Sequence, residues 1–96
     1  MKTVYTYRKR AFLNPTSTNH TSYILAHVES SKGGEYPQGD NLIYLADCHH
    51  RIMLEFFIGT ERDREVSLKK ISLLIDTLTQ FRDALISEMD KIEKAK

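Results

Sequence analysis

Two short stretches of this 96-residue chain carry side chains that could do chemistry. The first is Asp47-Cys48-His49-His50. Cys and His are zinc ligands, and a tight turn can aim neighbours the same way, so a site completed by His20 or His27 is conceivable. The spacing argues against it, because there is no C-x-x-C pair and no H-x-x-x-H set on a helix. A polar hairpin tip, with Cys48 packed as a small apolar residue, accounts for the stretch without a metal. A Cys48 nucleophile with an adjacent His base fares worse, since neighbours in a strand face opposite ways and catalytic dyads converge from different segments. The acids fall in loops and at helix ends rather than as a pair converging on a cleft. Gly33-Gly34 and Gly39 lack the downstream helix start that a phosphate-cradling loop needs. The expectation is a non-enzymatic protein with no catalytic residues, no metal and no cofactor.

The second stretch is Tyr5-Thr6-Tyr7-Arg8-Lys9-Arg10. Rings interleaved with guanidinium and ammonium groups on an exposed strand suit single-stranded nucleic acid, because rings stack bases while cations track phosphates. Strict alternation would put Tyr5, Tyr7 and Lys9 on one face, with Tyr23 beside them on a second strand. The plainer reading is that Tyr favours strands and that Arg and Lys discourage edge-to-edge pairing.

The elements that must position these groups follow from composition and period. Apolar residues make up 41% and charged residues 28%, globular proportions that leave out collagen-like and wholly disordered chains. Ninety-six residues suit one domain, 1–96, since each half alone would be too small to hold a core. The alternation predicts strands over about 3–13, 21–30, 42–48 and 51–58. Asn14 to His20 and the Gly/Pro-bearing Ser31–Asn41 segment connect them. The fourth strand, with Ile52, Leu54, Phe56 and Ile58 on one face and Met53 and Phe57 on the other, reads as central and partly covered on both sides.

Then the period changes from two to 3.5. Leu68, Ile71, Ile75, Leu78, Arg82, Leu85, Met89 and Ile92 fall at spacings 3, 4, 3, 4, 3, 4, 3. This predicts a helix beginning between Glu61 and Ser67 and ending near Lys94, with Thr60 and Asp63 as a capping arrangement. The fold class is α+β: a four-stranded antiparallel meander covered on one face by a long C-terminal helix, since short connections join antiparallel neighbours. In layout alone, the ββββα order resembles small dimeric transcriptional coactivators that bind single strands. No residue motif accompanies that likeness.

Taken from Ser67, the helix is roughly 42 Å long against roughly 25 Å for a strand. Its first half, Leu68 to Phe81, is expected to be buried and its second half to overhang. Leaving Leu85, Ile86, Met89 and Ile92 wet forgoes roughly 1.5–3 kcal/mol each. A homodimer paired through Arg82, Leu85, Ile86, Met89 and Ile92 would cover them. The alternative is a long first hairpin curling over the overhang.

The formal charge is only +1, so no global field announces a partner. The total hides segregation: residues 1–34 hold five bases against one acid (+4), residues 35–66 three against seven (−4), and residues 67–96 come to +1. No run of about 18 apolar residues is present, and a reducing cytoplasm with Cys48 as a free thiol is expected. The leading expectation is therefore a homodimeric adaptor or inhibitory accessory factor acting on another protein. Single-stranded nucleic acid on the Tyr5–Arg10 strand is the second, and a sponge for a small anionic ligand at the oligomer interface, with Arg8, Arg10 or Arg82 as donors, the third.

Overall fold

A computed structural model describes residues 4–14, 22–30, 39–47 and 50–95. Thr3 and Thr21 at the expected strand starts, His20, Cys48, His49 and residues 31–38 of the expected long loop lie outside the described residues. The elements are β1 (Tyr5–Phe12), β2 (Tyr23–Glu29), β3 (Asn41–Asp47), β4 (His50–Glu55) and α1 (Glu61–Ala95). The four strands form one sheet in the order β1-β2-β3-β4, and every neighbouring pair is antiparallel. This is the ββββα, α+β order that the alternating apolar pattern predicts.

The register fixes which side chains share a face, because residues directly opposite on neighbouring strands point the same way. One row runs Ala11–Ile24–Leu45–Ile52, and the next runs Lys9–Ala26–Ile43–Leu54. These rows form an aliphatic face, on which Ser22 Oγ also donates to Asp47 Oδ1 at 2.5 Å. The other face carries the rows Arg10–Leu25–Tyr44–Met53 and Phe12–Tyr23–Ala46–Arg51. Ala46 is 4% exposed, and Leu42, Ile43, Tyr44 and Leu45 of the same strand are half-buried. The interior of the sheet therefore sits along β3, with β2 next to it.

Meander order corrects the reading of β4 as central. It is the edge strand beside β3, with Ile52 52% and Met53 45% exposed. It also stops at Glu55 although the apolar run continues to Ile58. β3 begins at Asn41, and the last link is Phe56 N–H donating to Asn41 O at 2.9 Å. Asn41 Nδ2 reinforces it by donating to Phe56 O at 3.2 Å.

The chain divides into two compact units, one ending at Arg64 and one beginning at Glu65. Helix α1 takes the longer of the two expected starts. Thr60 is its N-cap: Asp63 N–H donates to Thr60 Oγ1 at 3.0 Å, and Arg64 N–H donates to Thr60 O at 3.0 Å. Glu61 and Asp63 occupy the first turn, where the helix dipole favours acids, and Lys94 the last, where it favours a base. Thirty-five residues at about 1.5 Å each make it roughly 52 Å long. No Gly or Pro interrupts it. Among the described residues, no helix is long and apolar enough to cross a membrane.

Candidate nucleic-acid interface

The face bearing Arg10 and Tyr23 is assembled by one irregularity in β1. Tyr5 opposes Glu29 and Tyr7 opposes Val28, so Thr6 is an extra residue and the register shifts between Tyr5 and Tyr7. A bulge of this kind re-aims the side chains before it. Pairing resumes beyond it, with Ser30 N–H donating to Val4 O at 2.8 Å and the Thr6 and Ser30 hydroxyls 3.3 Å apart.

The bulge overturns the expected grouping of Tyr5, Tyr7 and Lys9. Tyr7 and Lys9 stand in the aliphatic rows, opposite Val28 and Ala26. Tyr5 moves to the other side, joining Arg8, Arg10 and Phe12, whose cross-strand partners are His27, Leu25 and Tyr23. The result is a ladder of rings and guanidinium groups. Arg8 Cζ lies 5.1 Å from the centre of the Tyr5 ring. Arg10 Cζ lies 4.7 Å from the Tyr23 ring and 5.4 Å from the Phe12 ring. The Tyr5 and His27 rings are 5.0 Å apart and tilted by 49°.

Each Arg–ring contact at an exposed site contributes on the order of 0.5–1 kcal/mol. A guanidinium plane is itself a surface on which a base can stack. Its N–H donors match a phosphate, which can accept two of them. Arg51 closes the far edge of the same face on β4, three strand spacings (about 14 Å) across the sheet from β1. Tyr44 stands between the two edges. The acids on this face, Glu29 beside Tyr5 and Glu55 beside Leu42, lie away from the Arg10–Arg51 end.

Sequence reasoning named Tyr5, Tyr7, Arg8, Lys9 and Arg10 as one stretch and set Tyr23 beside Tyr5, Tyr7 and Lys9; of these, Tyr5, Arg8, Arg10 and Tyr23 stand on this face. It did not name Phe12, His27, Tyr44 and Arg51. Phe12 shares the parity of Arg8 and Arg10 on β1, and the signal of the other three was the parity of β2, β3 and β4, which becomes readable once the strands are set in register.

No family model, curated protein or solved structure matches this chain.

Asp47 and His50 face each other across the β3–β4 pair, while Cys48 and His49 between them lie outside the described residues. Among the described residues no group of three or more His, Cys, Asp or Glu side chains converges as a metal site.

The oligomer residues expected from sequence all belong to α1. Leu85, Ile86, Met89 and Ile92 are 42%, 49%, 56% and 59% exposed, and Leu68, Ile75, Leu78 and Phe81, expected to be buried, are 68%, 57%, 63% and 60% exposed. Arg82 Nε lies 3.7 Å from Asp83 Oδ1, with both side chains about two-thirds exposed. Lys91 Nζ donates to Glu88 Oε1 at 3.0 Å, one turn apart on the helix. Both pairs are solvent-screened and contribute little to stability.

Proposed function

We propose that this chain is a small, non-enzymatic binding protein and that the face of its sheet bearing Tyr5, Arg8, Arg10, Tyr23 and Arg51 holds single-stranded nucleic acid. The observation that carries this reading is the β1 bulge, which gathers Tyr5 with the two arginines instead of leaving it beside Tyr7. Phosphates would track the Arg8–Arg10 edge and the Arg51 edge, and bases would lie over Tyr23 and Tyr44 between them. A single strand fits this arrangement better than a duplex, because a duplex keeps its base faces stacked internally and leaves nothing for rings to contact.

The test is fluorescence anisotropy with a labelled single-stranded oligonucleotide and its duplex. Preferential retention of the single strand, lost in a Tyr23→Ala, Arg10→Ala double variant, is the expected result. Equal and weak retention of both forms, unchanged by the substitutions, removes the proposal. A mononucleotide that competes as well as the oligonucleotide would instead assign the same arginines to a small anionic ligand.

A second reading is a protein partner, with the chain as a homodimeric adaptor or inhibitory accessory factor. It is favoured by the exposed apolar side chains of the aliphatic face, Tyr7 (52%), Val28 (37%) and Ile52 (52%). Binding through that face would hardly respond to salt. A cytoplasmic setting suits either reading.

A further inference from the structure

The apolar ladder of α1 has a symmetry of its own. Its spacings read the same from either end, 3, 4, 3, 4, 3, 4, 3, from Leu68 to Ile92. A second copy can therefore lie against it in either direction with all eight positions matched. The charges decide between the two directions.

In a parallel pair each ladder residue meets itself. Arg82 would face Arg82 in the middle of the seam, and Glu88 would flank Glu93 on both sides. In an antiparallel pair centred on Gln80, Leu68 meets Ile92, Ile71 meets Met89, Ile75 meets Leu85, and Leu78 meets Arg82. The guanidinium then crosses a leucine and reaches solvent along its own alkyl stem. Phe81 lies beside Phe81 at the two-fold axis. The remaining like-charge neighbours, Glu65 and Glu93, fall outside the last layer.

The covered area is sufficient. Eight apolar side chains of the stripe are exposed in each copy, Leu68, Ile75, Leu78, Phe81, Leu85, Ile86, Met89 and Ile92, and at roughly 75 Å² each they bury about 1,200 Å² in all. That reaches the standard range for a stable interface. The stripe itself runs about 36 Å, longer than any strand of the sheet at about 27 Å or less.

We infer that α1 is a self-association surface whose occupant is a second copy of this chain, packed antiparallel about a two-fold axis at Gln80. The inference is independent of what the sheet binds.

Cysteine cross-linking with a short bis-maleimide, in full-length protein carrying Cys48→Ser, tests it. Thr79 lies next to the axis, so Thr79→Cys should cross-link to itself in high yield. Leu68→Cys should not, because the two copies of that residue would be about 36 Å apart. A mixture of Leu68→Cys and Ile92→Cys chains should cross-link only as the mixed pair. Self-linkage of Leu68→Cys would overturn the antiparallel direction. A monomer mass for the Cys48→Ser protein by light scattering at micromolar concentration would overturn the pairing altogether, and circular dichroism on the same samples establishes that α1 is formed.

Discussion

Replacing Arg8 and Arg10 together with alanine should change the salt response of oligonucleotide binding more than it changes the protein. Three guanidinium groups, Arg8, Arg10 and Arg51, stand on the ring-bearing face. If each neutralises one phosphate of a single strand, log affinity falls with log salt at a slope of about −2, taking roughly 0.7 per contact. Raising salt from about 50 to about 200 mM, fourfold, then weakens wild type roughly twentyfold. The double variant retains Arg51 alone, so its slope drops to about −0.7 and the same change costs it only roughly threefold. The substitutions also remove the contacts of Arg8 with Tyr5 and of Arg10 with Phe12 and Tyr23. Those contacts are exposed, so their loss should lower stability by no more than about 1–3 kcal/mol, which thermal melting will separate from the binding effect. Anisotropy titrations at four salt concentrations give both slopes. A wild-type slope near zero, or a variant slope equal to wild type, would refute the idea that these arginines meet phosphates.

Substitutions at three further positions probe the scaffold and the helix. Gly39→Ala should destabilise the sheet by about 1–3 kcal/mol in urea unfolding, because an added Cβ would stand 2.5 Å from the Glu29 Cβ. Glu29 cannot easily withdraw, since its Oε2 accepts from Asp40 N–H at 2.6 Å; an unchanged midpoint would show that the segment yields freely. Thr60→Ala should cost about 1 kcal/mol by deleting the acceptor for Asp63 N–H, while Thr60→Ser, which keeps the oxygen, should cost far less. Arg82→Leu should tighten self-association and loosen its direction, so that Leu68→Cys begins to link to itself in that background. No gain in mass at high dilution would count against Arg82 lying in a seam.

The layout of the chain was legible because its signals are long and redundant. Period-two alternation and turn clusters mark four strands, and the change to a 3.5 period marks a helix that nothing interrupts. Errors arose where one backbone bond decided the matter. The apolar run Arg51–Ile58 has the composition of a central strand, yet β4 ends at Glu55, because composition does not encode where the neighbouring strand begins. Asn41 supplies both the last ladder acceptor and a side-chain donor to Phe56, a pairing that no local pattern in either segment announces.

The candidate face shows the same limit more sharply. Alternation places Tyr5 with Tyr7 and Lys9, and every local feature of Thr3–Leu13 supports that placement. A single extra residue, Thr6, reverses the side of everything before it, because side chains in a strand alternate with a period of two and an insertion of one exchanges the faces. The basic excess of the first third then acquires a direction. Of its strand cations, Arg8 and Arg10 stand among rings, whereas Lys9 stands among aliphatic side chains. A net charge of +1 for the whole chain conceals this, since the acids that balance it lie mainly in the middle third. Phosphate recognition depends on the few cations within reach of one strand of nucleic acid, and at physiological salt charges more than about 8 Å away are largely screened. The distribution across the two faces of this sheet therefore bears on binding more directly than the total does.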